Sequence, residues 1–178
     1  MKISVYSSCD SVIMELNGKK VGSVILEDSM KYRTNLDIAY EPGELKAIGY
    51  LNGIIDEIKY LRTSGTVYGI RMVSDRTVIQ ADRNDLAFIS VETIDKTGLR
   101  VPDAEILIDF EILGAGELAG VGNGNPTNIK SFQQPQCETF KGRCLIIVRP
   151  LEGETGKILV KAKTTSFPES ELTIDIIN

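Results

Sequence analysis

Gly114-Ala-Gly-Glu-Leu-Ala-Gly-Val-Gly-Asn-Gly-Asn-Pro-Thr-Asn128 holds five of the chain's sixteen glycines within eleven residues, from Gly114 to Gly124. Backbone this rich in glycine turns sharply, takes positive φ, or lies close against other atoms. Its first six residues, Gly114 to Ala119, fit the GxGxx[G/A] pattern of dinucleotide-binding turns. That pattern works only when a helix follows, because the helix N-terminus holds the pyrophosphate. Here Gly-Val-Gly-Asn-Gly-Asn-Pro follows, and glycine and proline at that density cannot form a helix. A nucleotide fold is therefore excluded. The stretch reads as a long connection between two strands, and its distal part, Asn123 to Phe132, is free to reach a neighbour.

The chain on either side is written in β-strand periods. Before the connection, Ile106, Ile108, Phe110 and Ile112 alternate with Asp109 and Glu111, the pattern of a half-buried strand. Further back, Ala87, Ile89, Val91 and Thr93 alternate with Ser90 and Glu92, and a turn at Asp95–Gly98 ends that run. Strands are also expected at 67–74 and 77–80. Beyond the connection they are expected at 138–149, 156–165 and 172–177. About seven strands at this spacing predict an immunoglobulin-like sandwich. No Cys…Trp…Cys core is present, so the likeness is one of architecture.

The first third is written more tightly. A strand is expected over Val5–Leu16, then Asn17-Gly18, a strong hairpin signal because both positions tolerate positive φ. A return strand over 21–26 follows, then alternation at Leu36, Ile38 and Tyr40, a Pro42-Gly43 turn, and a hairpin of 45–51 and 54–61 around Asn52-Gly53. Arg62-Thr-Ser-Gly65 is short, polar and aperiodic, and a domain boundary is placed there. The fold class expected is all-β, as two consecutive immunoglobulin-like β-sandwich domains at 1–63 and 64–178, packed against each other.

Composition removes several classes of function. The net charge is −5 and no Lys/Arg run exceeds Lys19-Lys20, which argues against a nucleic-acid partner. No apolar run approaches a membrane span, so no membrane insertion is expected. The chain has no histidine, which removes the commonest general base and every Ser-His or Cys-His dyad. It has no tryptophan to stack on a sugar ring. Cys9, Cys137 and Cys144 lack CxxC spacing, so no metal site is expected. Cys137 and Cys144 could bracket a hairpin and bond, but they read first as free, half-buried thiols. No cofactor is expected.

The remaining candidates are weak as chemistry. Asp82-Arg-Asn84-Asp85 starts like a calcium loop, but Ala87 stands at the glycine position and Thr93 at the glutamate position, so it reads as a capped surface turn. Asp109 and Glu111 share one strand face and read as its wetted side. Tyr32, Tyr40, Phe132 and Phe140 could stack on sugars but are expected mostly to fill core and inter-domain surface. Phe132 is singled out within the polar segment Lys130–Pro135. Asn123, Asn125 and Phe132 are the candidate contacts to a glycan or a neighbouring domain, and no catalytic residue is nominated.

Two stretches of the first third, Ser4–Lys19 and Ala39–Gly53, resemble a small domain in bacterial β-galactosidases of glycoside hydrolase family 2. Asp75–Asp82, Leu86–Asp95 and above all Leu118–Thr127 resemble the immunoglobulin-like domain that ends the same enzymes. The resemblance spans essentially the whole chain, in the right order. It implies a retaining glycosidase whose catalytic glutamates lie on a (β/α)₈ barrel, and no barrel fits here. This chain would then be a non-catalytic C-terminal fragment with the catalytic barrel as its partner. It would support that barrel, the substrate cleft, or a homodimer through the parent. The parent would be periplasmic or secreted. The opening Met-Lys-Ile-Ser-Val-Tyr enters a strand at once and suggests a piece of a longer chain, whereas 172–178 resembles a natural end. The alternative is a carbohydrate-binding or adhesive bacterial Ig-like module.

Overall fold

A computed structural model of the 178-residue chain describes residues 1–26 and 32–178. The described residues form fifteen strands and no helix. They divide into two compact units, Met1–Thr63 and Ser64–Asn178.

In the first unit, β1 (Lys2–Tyr6) pairs with β4 (Arg33–Asp37) as a two-stranded sheet. β2 (Ser11–Leu16), β3 (Lys19–Ile25), β5 (Glu44–Leu51) and β6 (Ile54–Arg62) form a four-stranded sheet in the order β3-β2-β5-β6. Val12, Met14 and Leu16 of β2 point one way, as the two-residue period requires, and bury against Leu45 and Ile38. Both Asn-Gly hairpins take the expected shape: φ is 51° and 79° at Asn17-Gly18, and 52° and 77° at Asn52-Gly53.

The strand expected over Val5–Leu16 breaks in two. Ser7 Oγ accepts from the Cys9 amide, and the Asp10 carboxylate accepts from the Asn52 amide. Short polar side chains that capture backbone amides compete with a strand ladder. Here they end β1 and restart the chain as β2 in a different sheet.

The second unit is a two-sheet sandwich. One sheet runs β12-β10-β14-β15-β8 and the other β11-β13-β9-β7. Their members are β7 (Gly69–Ser74), β8 (Val78–Gln80), β9 (Ala87–Ile94), β10 (Leu107–Gly114), β11 (Gly116–Gly122), β12 (Gln136–Glu138), β13 (Arg143–Pro150), β14 (Gly156–Lys163) and β15 (Ser170–Ile177). The inward residues are those the alternation marks: Ala87, Ile89 and Val91 from β9, Ile146 and Val148 from β13, Ile158 and Val160 from β14. This dry β-branched core between two sheets is the expected immunoglobulin-like architecture. β15 closes the five-stranded sheet by pairing parallel to β8, with Ile176 opposite Ile79.

The glycine-rich stretch differs from its sequence reading. Most of it is a strand, not a connection: β10 ends at Gly114, and β11 starts at Gly116 in the opposite sheet. Ala115 alone bridges the two. Its amide donates to Lys157 O at 3.0 Å, and its carbonyl accepts from Leu151 at 2.9 Å. Gly114 makes this sheet change at φ +89°, and a Cβ there would sit on the Lys157 carbonyl oxygen. A Cβ at Gly116 would overlap the fully buried Ile158 side chain. A bulge between Leu118 and Gly120 then bends β11 toward its end. The true connection is shorter and runs from Asn123 to Pro135.

Candidate functional site

The segment from Asn123 to Pro135 joins β11 to β12 and is held by its own polar side chains. Asn123 Oδ1 accepts from the Asn125 amide at 3.0 Å. Asn125 Oδ1 accepts from the Thr127 amide and hydroxyl at 3.0 and 2.9 Å. Asn128 Oδ1 accepts from Lys130 N, and Ser131 Oγ from Gln133 N, each at 3.1 Å. Four side chains thus cap amides two residues on, the local turn chemistry of Asn and Ser. The segment is anchored at both ends. Asn123 Nδ2 donates to Glu138 O at 2.8 Å, and Gln133 Nε2 donates to Ala119 O at 3.2 Å. In between, Val121 N donates to Phe132 O at 2.8 Å.

All three sequence-nominated residues, Asn123, Asn125 and Phe132, line one cleft, with Lys130, Gln134 and Glu138. The cleft encloses about 30 Å³. A pocket that buries a small molecule measures roughly 300–1,000 Å³, so this one grips no sugar ring inside it. What it offers is a surface. The two asparagine oxygens are committed to the loop's own amides, which makes Asn123 and Asn125 builders of the loop. Phe132 is 60% exposed with its ring beside Gly122, and Ile129 at the tip is 98% exposed. Ile129 went unnoticed in the sequence, although an isoleucine amid Asn, Thr, Lys and Ser was the available signal. Tyr32 and Tyr40 are exposed rather than core-filling.

Beside this cleft, Cys137 of β12 and Cys144 of β13 are free, buried thiols of the same core, and Cys137 Sγ donates to Glu138 O at 3.6 Å. The neighbouring Cys144 thiol leads in lowering Cys137, and the Cys137 thiol together with burial pushes Cys144 up.

Several charged groups of the second unit are engaged structurally. Asp109 accepts from Gln136 Nε2, while Glu111 pairs with Lys163, so the two carboxylates on β10 serve different partners. Asp82 and Asp85 cap the amides of Asn84 and Gln80 at 2.9 and 2.7 Å, as expected of a surface turn. Glu117 takes donors from Arg83 and Arg149, both at 2.8 Å. Hydrogen bonding from Arg149 leads in holding its carboxyl below the usual range, with Arg83 adding to it. Burial pushes Glu92 up, but the Arg71 and Arg143 guanidiniums outweigh it and hold the carboxyl low. Among the described residues no group of three or more His, Cys, Asp or Glu side chains is placed to hold a metal ion, and no helix is long and apolar enough to cross a membrane.

Residues 70–173 match the profile of glycoside hydrolase family 2 C-terminal domain 5, and residues 1–55 match a domain of unknown function, DUF4982. The chain is similar to the β-galactosidase BoGH2A of Bacteroides ovatus, 33% identical over 169 residues that make up 95% of this chain and 20% of that protein. It is 27% identical over 172 residues to a β-glucuronidase of Formosa agariphila, covering 96% of this chain and 17% of the relative. In three dimensions it is similar to the crystal structure of a glycosyl hydrolase family 2 member from Bacteroides cellulosilyticus, with a TM-score of 0.95 and 37% identity, over 99% of this chain and 23% of that one. The chain thus spans about a fifth of the length of the curated relatives it matches.

Proposed function

The chain belongs to the glycoside hydrolase family 2 C-terminal domain 5 family, and from that premise we propose that it is the non-catalytic accessory part of a β-galactosidase-like glycosidase. Residues 1–63 are the small domain that follows the catalytic barrel, and residues 64–178 the terminal domain. They brace the barrel, contribute to a dimer, or wall the substrate cleft. The parent acts outside the cytoplasm, in the periplasm or as a secreted enzyme, where polymeric glycans are met. One observation carries this reading: the chain is only a fifth as long as glycosidase relatives, and its described residues are strands and loops with no helix for a barrel to use. The lack of histidine and the engagement of Asp109 and Glu111 by Gln136 and Lys163 support it.

The test is turnover. The isolated chain should release no nitrophenol from nitrophenyl β-galactoside or β-glucuronide above a buffer blank, while the parent enzyme releases it. Hydrolysis by a preparation of the chain free of other glycosidases would overturn the proposal. A glycan-contact role is the second reading, favoured by the exposed Phe132 ring beside the amide-lined cleft. Titration with galactosides at millimolar concentration, with Phe132→Ala as control, separates the two.

A further inference from the structure

β6 (Ile54–Arg62) is the outermost strand of the sheet β3-β2-β5-β6, and all nine of its residues are exposed. One edge pairs with β5, and among the described residues nothing pairs with the other. An open edge presents a row of unpaired amides and carbonyls, a template for another strand. Of the usual protections β6 lacks proline and carries a bulge at Asp56 and edge charges, but Glu57 and Lys59 pair with each other at the surface at 2.7 Å, so neither charge stands alone against an incoming strand.

We propose that β6 pairs antiparallel with β6 of a second copy, about a two-fold axis through Ile58, so that the two four-stranded sheets become one. Symmetric antiparallel pairing requires a residue on the axis to face itself, because neighbours along a strand point to opposite faces. With Ile58 on the axis, Glu57 of each copy faces Lys59 of the other, and the two Ile58 side chains meet. Those pairs are of the kind that stabilise a sheet. An axis through Glu57 sets two carboxylates face to face, and an axis through Lys59 sets two ammoniums face to face; both repel. Of these three registers, the charges select the one centred on Ile58. Ile58 and Tyr60 lie on the face that carries Ile48 and Ile13, so apolar surface is covered as the ladder forms. The bulge at Asp56 bends the strand just before this segment, which keeps the ladder short and the dimer weak.

This gives the dimer-building role proposed above a surface, and its test is separate from that reading. Sedimentation of the 178-residue chain up to roughly 1 mM should show a concentration-dependent dimer. Lys59→Glu or Glu57→Lys alone should weaken it on the order of tenfold, since symmetry applies each like-charge contact twice. The double variant Glu57→Lys/Lys59→Glu should restore it. Both substitutions are at exposed positions, and unchanged thermal melts of the three variants check that the fold is kept. A chain monomeric throughout the range overturns the proposal. So does a dimer indifferent to the single reversals, or one the double variant does not rescue. In the parent enzyme, hydrogen exchange that finds the β6 amides protected in a monomer overturns it as well, and assigns the edge to another domain. A monomeric chain leaves the accessory reading standing, because that reading fails only on hydrolysis.

Discussion

Single residues separate the glycines of the 114–124 stretch into two kinds. Gly120 and Gly122 have room: a Cβ at either would meet Phe132 at ordinary contact distance, 3.5 and 3.8 Å. Gly114 has neither room nor an alternative conformation, since φ is +89° and the Lys157 carbonyl occupies the Cβ position. Gly114→Ala should therefore destabilise the second unit by about 2–4 kcal/mol, combining strained backbone with a clash against the Lys157 carbonyl. Gly122→Ala should change stability by less than about 0.5 kcal/mol. Urea melts of the two variants check both. This difference was not legible in the sequence. The run of glycines announced a close approach but not which residue made it, because the obstructing carbonyl lies more than forty positions away.

Elements were legible where local chemistry decides them. The two Asn-Gly turns take the backbone their residues favour. A third turn of the same kind, Lys141-Gly142 with φ of 51° and 71°, was hidden because lysine gives no such signal. The alternation in β9 placed its inward residues correctly, whereas the Val5–Leu16 run concealed the break at Ser7–Asp10, where side chains take the backbone's amides. The turn after β9 is organised by one carboxylate. Asp95 accepts from Gly65 N at 2.7 Å, from Thr97 Oγ1 and N at 2.7 and 2.8 Å, and from Leu99 N at 3.0 Å. The Gly65 amide leads in lowering its pKa from 3.8 to about 2. A lowered carboxylate favours the folded state when ionised. Its contribution is therefore full above about pH 4 and is lost as pH falls through about 2. The urea midpoint should drop across that window, and Asp95→Asn should lower the midpoint at pH 7 while flattening the drop.

At the scale of the molecule, the two units carry separate cores: Val12, Met14, Leu16, Ile38 and Leu45 in one, and the much larger set around Ile89, Ile146 and Ile158 in the other. A larger buried apolar surface sustains a higher melting temperature. Calorimetry should resolve two transitions, with Val12→Ala shifting only the lower and Ile146→Ala only the upper. The all-β class was readable because periodicity is local. The functional surface was only partly so. Asn123, Asn125 and Phe132 lie together, yet the asparagines hold the loop, and the most exposed large apolar side chain among the described residues is Ile129. What a side chain is free to do depends on which bonds its neighbours have already claimed, and those are settled only on folding.

The parallel pairing of β15 with β8 also dictates a timetable. It joins Ile79 to Ile176 across nearly the whole second unit. During synthesis, the five-stranded sheet cannot close until residue 177 has left the ribosome, while residues 1–63 have long been free to fold. Sandwiches dominated by such distant contacts fold in milliseconds to seconds. Until then the β8 edge stands open on the nascent chain, and that interval is when this protein is most exposed to misassembly.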